Sequence, residues 1–397
     1  MNTTIVFGAF DRHNLGDLLF AHVAAALLPR DEPVVFAGLA ARDLRPFGGH
    51  EVQALHALRD DPRLRGARLL HAGGEILTCR AHEAAIMLLE PSEVDATLAF
   101  LAAHPEDAPA WRRAMLGTDD ALPYVVGRDT FRWLAAVAFA GVGGVALDTL
   151  PEAERAALLE RLVGADALTV RDAVTQAQLH AAGVVAPLMP DPAELVETLF
   201  GDAIRARVNA SAIADLRQAF PGGWLAVQLS TEFADDATLA QIAEQLAAIP
   251  DDTGLGIVLF RAGAAPWHDD PALLARLARR LPARHVRLFE SLDVWDVCAL
   301  LAHAHAALCS SLHGALVARA FGVPALGLEA PRPAQGRKLA AYVSTWHALD
   351  APVLRQFDDI GDRLREALAG DPAPRRAHAR ERASRALAAM RGLLAPG

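Results

Sequence analysis

The chain has 397 residues, of which 53% are hydrophobic and 22% are charged, and its formal net charge is -10. A chain of this length and composition can bury two hydrophobic cores, so we expect two domains. The excess of acidic groups disfavours a nucleic-acid groove, which needs a concentrated positive surface, whereas a local basic patch could still bind a small anion. No CxxC spacing occurs among the three cysteines, so neither a disulfide framework nor a cysteine metal site is expected.

Residues 1–203 alternate between short apolar runs and amphipathic segments, which is typical of a parallel α/β domain. The predicted elements, in chain order, are a strand at 4–7, a helix at 16–28, strands at 33–36, 69–70 and 145–147, a helix at 152–163, a strand at 167–170 and a helix at 173–182. Residues 81–139 are predicted to be mainly helical, so we assign a helical insertion to about 80–140.

A helical stretch over 202–220 and a break at 221–223 separate the first domain from a second α/β domain, assigned to 204–350. Its predicted elements are strands at 224–229, 256–260, 286–289, 305–309 and 325–328, with helices at 236–248, 271–281, 294–302 and 314–321. Residues 351–397 are predicted to form C-terminal helices that are interrupted at Asp371-Pro372.

The stretch 309–324 predicts a strand end, a tight turn and a short helix that stops at Gly322. A helix N-terminus presents free backbone N–H groups and a partial positive charge, which suit a phosphate or a carboxylate. His313 would lie at this helix N-terminus, and histidine is the side chain best matched to proton transfer near neutral pH. Candidates for ligand contact around it are Ser310, Ser311 and Gly314, although the two serines could equally serve as helix caps only.

Five short segments resemble the polysaccharide pyruvyl transferases in their order and spacing. They are Asn14-Leu15-Gly16-Asp17, His71-Ala72-Gly73-Gly74-Glu75, Val170-Arg171-Asp172, Pro190-Asp191-Pro192, and Leu312-His313-Gly314 followed by Gly322-Val323-Pro324. The resemblance covers roughly residues 4 to 345 and is weakest between 79 and 147. Together with the α/β alternation, it implies two Rossmann-like domains facing across a cleft, a GT-B-like arrangement, with C-terminal helices.

This resemblance implies transfer of a pyruvyl group from phosphoenolpyruvate to hydroxyls of a saccharide or lipid-linked saccharide, forming a ketal. The N-terminal domain would bind the acceptor through Asn14 and Glu75, and the C-terminal domain would bind the donor. His313 would be the acid/base, with Asp17 as a second catalytic residue. This chemistry requires neither a metal nor a cofactor.

One position departs from the family pattern. Many family members have arginine immediately before the Leu-His pair, whereas this chain has Ser311. The cations that could replace such an arginine are Arg171, Arg261, Arg319, Arg337 and Lys338. We favour Arg261, because it follows a strand at its carboxyl end, together with Arg171, and we rank Lys338 third.

Several candidates have a structural alternative. The carboxylate of Asp17 could simply stabilise the N-terminus of the first helix. For Asp172, capping of the following helix is the favoured interpretation. The glycine pair before Glu75 most often marks only a turn.

Two other functions stay open, a GT-B glycosyltransferase with a nucleotide-sugar donor and a non-catalytic family member. A dinucleotide enzyme is disfavoured, because no G-x-G-x-x-G fingerprint follows the first strand. Neither a secretory signal nor an apolar segment of membrane-spanning length is recognisable. We therefore expect a cytoplasmic protein, compatible with peripheral association at the inner face of a membrane and with a homo-oligomer.

Overall fold

A computed structural model describes residues 3–330, 338–347 and 352–395. The chain divides into two compact units. The N-terminal unit comprises Met1–Pro192 and Ala386–Gly397, and the C-terminal unit comprises Ala193–Arg385. The division follows Pro192, whereas the sequence places it after residue 203. The helix after this point belongs to the C-terminal unit because it packs against two helices of that unit.

The N-terminal unit is built on a seven-stranded sheet. Its strands are β1 (Thr4–Phe7), β2 (Val34–Gly38), β3 (Arg42–Asp43), β4 (Glu51–Ala54), β5 (Arg68–His71), β6 (Ala136–Val142) and β7 (Ala167–Val170). They lie in the order β3-β4-β2-β1-β5-β6-β7, and all neighbours pair in parallel except β3 and β4. The helices are α1 (Leu15–Leu27), α2 (Ala81–Ile86), α3 (Val94–Ala103), α4 (Ala108–Leu116), α5 (Glu152–Val163) and α6 (Ala173–Ala181).

The strand predicted at 145–147 is wrong, since the structure places β6 earlier, at Ala136–Val142, and a 3-10 turn at Leu147–Thr149. All but the first residue of β6 are buried. A strand buried on both faces is apolar throughout and lacks the alternation that would distinguish it from a buried helix. This is why the sequence pattern assigned most of β6 to the helical section.

The C-terminal unit contains a second, wholly parallel sheet of six strands. The strands are β8 (Trp224–Gln228), β9 (Gly256–Leu259), β10 (Val286–Leu288), β11 (Ala306–Cys309), β12 (Ala325–Leu328) and β13 (Val353–Leu354), in the order β10-β9-β8-β11-β12-β13. Because β9, β8 and β11 are parallel neighbours, their carboxyl ends lie at one edge of the sheet, where ligands bind in α/β proteins.

Helices surround this second sheet. They are α7 (Val196–Ala206), α8 (Ser211–Ala219), α9 (Asp236–Ala247), α10 (Ile249–Thr253), α11 (Pro271–Arg280), α12 (Val294–Ala302), α13 (Leu312–Ala320), α14 (Lys338–Trp346), α15 (Ile360–Ala369) and α16 (Pro372–Leu394). Only the first part of α16 belongs to this unit, because its residues from Ala386 onward belong to the N-terminal unit. The single helix predicted over 202–220 is wrong, because a 3-10 turn at Arg207–Asn209 separates α7 from α8. The predicted interruption of the C-terminal helices at Asp371-Pro372 is confirmed.

Candidate functional site

The turn between β11 and α13 has the predicted geometry. Ser311 is the N-cap of α13, and its hydroxyl accepts a hydrogen bond from the backbone N–H of Gly314 (3.2 Å). His313 lies in the first turn of this helix with 9% of its surface exposed. The prediction that His313 lies at a helix N-terminus after a buried strand is therefore confirmed.

Gln228, at the carboxyl end of β8, holds this turn from the neighbouring strand. It is fully buried. Its side-chain oxygen accepts hydrogen bonds from the backbone N–H of Ser311 (2.7 Å) and from the hydroxyl of Ser310 (3.3 Å). Its backbone oxygen accepts a further hydrogen bond from the backbone N–H of Ser310 (3.2 Å). One residue therefore fixes both serines that precede His313.

Asp269 orients the side chain of Gln228. Its Oδ1 accepts a hydrogen bond from Nε2 of Gln228 (2.7 Å), and its Oδ2 accepts from the backbone N–H groups of Ala262 (2.5 Å) and Gly263 (3.2 Å). Burial raises the pKa of Asp269 to about 7, although these donors oppose the shift. A polar chain thus connects the loop after β9 to the turn before α13, and we call Gln228, Asp269, Ser310 and Ser311 the turn network.

Sequence reasoning missed Gln228 and Asp269. The available signal was weak, namely a glutamine at the end of an apolar strand and two consecutive aspartates before Pro271. Asp270 is the N-cap of α11, and helix capping alone accounts for an aspartate before Pro271. The pair of aspartates therefore did not single out Asp269. Only the strand order shows that Gln228 lies beside the turn, because β8 and β11 are distant in sequence.

Arg261 lies at the same sheet edge, two residues after the end of β9. Neighbouring strands are about 4.8 Å apart, so the ends of β9 and β11 are separated by roughly 10 Å. The side chain is half-buried, and within the part of the chain that the structure describes it forms no hydrogen bond or ion pair. In the same loop Trp267 has a φ of 66°, a conformation that costs a non-glycine residue about 1–2 kcal/mol and is common at functional sites.

The other candidates of the C-terminal unit take different positions. A Cβ atom on Gly314 would lie 3.2 Å from Sγ of Cys309, so glycine lets α13 pack closely on the end of β11. Lys338 begins α14 and is half-buried. Arg319 is buried in α13, where Nη2 donates to the backbone oxygen of Ala325 (2.7 Å). Arg337 lies outside the described residues.

Arg171 and Glu75, predicted on the donor and acceptor sides, contact each other in the N-terminal unit. Arg171 is 1% exposed, and its guanidinium forms ion pairs with Glu75 (2.6 Å) and Asp191 (2.9 Å). Although burial opposes the shift, these two carboxylates raise the pKa of Arg171. Glu75 also accepts a hydrogen bond from the backbone N–H of Val145 (2.7 Å). These contacts favour a structural role for the Arg171 charge.

Asn14 and Asp17 lie together at the start of α1. Asn14 is the N-cap and accepts a hydrogen bond from the backbone N–H of Gly16 (3.1 Å). Asp17 is 9% exposed, and a Cβ atom on Gly74 would lie 3.2 Å from its Oδ1. The loop that follows β5 therefore approaches Asp17 closely. Asp172 caps α6 by accepting a hydrogen bond from the backbone N–H of Thr175 (2.8 Å), which confirms the favoured interpretation.

A half-buried cation that sequence reasoning missed, Arg12, lies close to Asp17. Nη1 of Arg12 donates to the hydroxyl of Tyr124 (2.9 Å), and that hydroxyl donates to Oδ1 of Asp11 (3.3 Å). Nε of Arg12 is buried and has no partner among the described residues. Burial would lower the pKa of Arg12, but Tyr124, Cys79 and Asp17 raise it. Arg12 directly precedes the segment His13-Asn14, so only its partial burial and its hydrogen bond to Tyr124 distinguish it from a surface arginine.

Several solved structures share this fold. UDP-GlcNAc 2-epimerase from Neisseria meningitidis bound to UDP-GlcNAc matches with a TM-score of 0.54 and 14% identity over 98% of this chain and 97% of that one. The α,α-trehalose 6-phosphate synthase from Burkholderia multivorans matches with a TM-score of 0.53 and 14% identity over 99% and 97% of the two chains. Such likenesses show the fold alone. The predicted fold class, GT-B-like with two parallel α/β units and C-terminal helices, is therefore confirmed.

Residues 139–330 match the family model of the polysaccharide pyruvyl transferases, which confirms the resemblance seen in the sequence and supports a transferase. The matched range contains Arg171, the turn network, Arg261 and His313. No curated protein sequence matches this chain. Among the described residues, no helix combines the length and the apolar character that crossing a membrane would require.

Proposed function

We propose that the protein transfers the pyruvyl group of phosphoenolpyruvate to hydroxyls of a saccharide acceptor. The family match supports the reaction class. The observation that carries the proposal is the position of His313 in the first turn of α13, on a turn that Gln228 and Asp269 hold in place. The donor is proposed to bind at this edge of the C-terminal unit, and Asn14 and Asp17 are proposed for the acceptor.

The proposed reaction balances in protons and bonds. His313 donates a proton to carbon three of the enol, and carbon two becomes an oxocarbenium centre that a first acceptor hydroxyl attacks. The bond from carbon two to the phosphate oxygen then breaks, and a second hydroxyl attacks to close the ketal. Of the two hydroxyl protons, one replaces the proton that His313 gave, and the other leaves with the phosphate. Asp17 is the proposed base for a hydroxyl.

Arg261 is the proposed donor ligand of the C-terminal unit, with Lys338 as the second candidate. A guanidinium group binds carboxylate and phosphate with two N–H groups at once, and the N-terminus of α13 favours the same anions. At the position where many family members have arginine, this chain has Ser311, whose hydroxyl caps the helix. The cation that binds the donor must then come from another position, which supports Arg261. Arg171 is proposed to hold Glu75 and Asp191 rather than the donor.

A nucleotide-sugar donor is the second candidate. It is favoured by Ser311, where the resemblance leads one to expect arginine, and by the fold shared with an enzyme whose structure contains UDP-GlcNAc. A helix N-terminus would suit a diphosphate as well as phosphoenolpyruvate.

Calorimetry with phosphoenolpyruvate and a panel of UDP-, GDP- and CDP-sugars distinguishes the two donors. We expect saturable binding of phosphoenolpyruvate that Arg261→Ala weakens about tenfold or more, since a hydrogen bond to a charged group contributes about 1.5–3 kcal/mol. The matched control is Arg280→Ala, which removes an arginine of α11 that pairs with Asp236. Binding of a nucleotide-sugar alone would replace the pyruvyl donor by the second candidate, and binding of phosphoenolpyruvate without ketal formation from any acceptor would favour a non-catalytic member.

A further inference from the structure

A cavity inside the C-terminal unit is lined by basic side chains. Its walls are Arg319, His347, Arg375 and Arg382, together with the apolar segment Val323-Pro324-Ala325. Arg319 lies six residues after His313 in α13, which corresponds to about 9 Å along the helix axis. The cavity is therefore distinct from the candidate active site at the other end of this helix.

A single carboxylate accompanies these groups among the described residues. Glu194 is 1% exposed, and its Oε1 accepts hydrogen bonds from Nε of Arg382 (3.1 Å) and from the hydroxyl of Tyr342 (3.2 Å). Nε2 of His347 lies 3.1 Å from the same oxygen. Burial lowers the pKa of His347 to about 4, so the ring is neutral at pH 7. Three guanidinium groups therefore face one carboxylate, which leaves a net charge of two positive units around the cavity.

Arg319 provides the donors that point to a ligand. It is 6% exposed, and Nη2 donates to the backbone oxygen of Ala325. Its Nε and Nη1, and Nε of Arg375, are buried without a hydrogen-bond partner in the described chain. Burial of a cation and of unpaired N–H groups costs free energy unless a compensating partner binds. Arg319 is thus suited to bind a negatively charged hydrogen-bond acceptor in the cavity.

The size of the cavity limits that acceptor. The cavity has a volume of about 20 Å³, which is space for one or two molecules of the size of water. Water could accept hydrogen bonds from these N–H groups but would leave the positive charge of the guanidinium groups uncompensated. We propose that this cavity binds a small inorganic anion of the size of chloride, held by the guanidinium groups of Arg319 and Arg375. This inference does not depend on the proposed transferase reaction.

Thermal unfolding at constant ionic strength, with chloride replacing gluconate, tests the proposal. An anion that binds only the folded state stabilises it in a concentration-dependent way, so the melting temperature should rise by about 2–4 °C, following the logarithm of the chloride concentration once this exceeds the dissociation constant. Arg319→Met keeps the apolar stem, removes the charge and should abolish the rise. Arg375→Met, at a half-buried position, should weaken it and serves if Arg319→Met does not fold. Arg355→Met, which removes a half-exposed arginine paired with Glu329, is the matched control and should keep the full rise.

Crystals soaked in bromide give a direct readout, because the anomalous signal of bromide separates it from water. We expect a bromide peak between Arg319 and Arg375 in the wild type and none in Arg319→Met. Water in the cavity with no bromide peak would overturn the proposal. A wild-type melting temperature that does not respond to chloride, or phosphate in place of the halide, would also overturn it.

Discussion

The two units place polar residues at the carboxyl ends of parallel strands, yet they use these residues differently. In the C-terminal unit the turn network holds its turn through hydrogen bonds, and Arg261 has no ion-pair partner among the described residues. In the N-terminal unit Arg171 is buried between Glu75 and Asp191. A position at the end of a strand therefore indicates that a residue lies near a possible binding site. Whether its side chain can bind a ligand depends on the charges beside it.

The physical difference lies in desolvation. Each charge of a buried ion pair recovers the free energy lost on leaving water only through the opposite charge. A ligand that competes for Arg171 would therefore leave Glu75 and Asp191 uncompensated. A half-buried arginine such as Arg261 is already partly hydrated, and an anion that binds there displaces water and competes only with the weaker attraction between Arg261 and Asp269. The contrast predicts catalytic effects in the C-terminal unit and stability effects in the N-terminal unit.

The largest effect is expected at His313. His313→Asn should lower the rate of ketal formation by about 10²–10⁴-fold, since it removes the group proposed to transfer the proton. Steady-state rates measured with phosphoenolpyruvate would show this, and the melting temperature should change little. His303→Asn, at the C-cap of α12, is the matched control and should keep full activity. Full activity in His313→Asn would remove this residue from the mechanism.

Arg171 should give the largest loss of stability. Arg171→Met leaves two buried carboxylates without their cation, so the free energy of unfolding should fall by about 3–5 kcal/mol. Urea titration provides the measurement. Arg205→Met, which breaks surface pairs with Glu197 and Asp202, should cost less than about 1 kcal/mol. If Arg171→Met kept its stability and lost phosphoenolpyruvate binding, Arg171 would be a donor ligand and the contrast between the units would fail.

Asp269 should make stability depend on pH. Its pKa rises on folding from an ordinary value of 3.8 to about 7, so between these pH values the folded state binds more protons than the unfolded state. The free energy of unfolding should therefore fall as pH rises through this window, by at most about 4 kcal/mol, and then level off. Urea titrations across this range should show the decline in the wild type and its loss in Asp269→Asn.

Asp270→Asn is the control for that series, because asparagine caps a helix about as well as aspartate and α11 keeps its N-cap. Its pH profile should follow the wild type. An unchanged slope in Asp269→Asn would show that Asp269 is ionised throughout and that its three N–H donors outweigh its burial.

The smallest effect is expected at the two helix caps. Ser311→Ala and Asn14→Ala each remove one capping hydrogen bond, in the C-terminal and N-terminal units respectively, and should each cost about 1 kcal/mol of unfolding free energy. Ser311→Asn should restore most of the loss. Calorimetry on the same variants separates capping from ligand contact, because a cap alone should leave the affinity for phosphoenolpyruvate nearly unchanged. An affinity loss beyond tenfold in Ser311→Ala would place its hydroxyl on the donor.

Local signals explain what could be predicted. The cap, the short helix and the glycine stop around His313 are fixed by neighbouring residues, and the structure has them as predicted. The same holds for the cap at Asp172. The strand β6 was missed because its apolar residues do not alternate, and the pairing of Glu75 with Arg171 was missed because 96 residues separate them.

The sequence by itself determined the alternation of strands and helices, the two-unit α/β class and the helix N-terminus at His313. These depend on periodicity, capping and turn residues, which act over a few positions. Only the tertiary structure decided that Gln228 and Asp269 hold the turn before that helix, that Arg171 is enclosed by carboxylates, and that Arg319 faces a basic cavity. Strand order and burial set these environments, and the free energy of a charge depends on which distant groups the fold brings beside it.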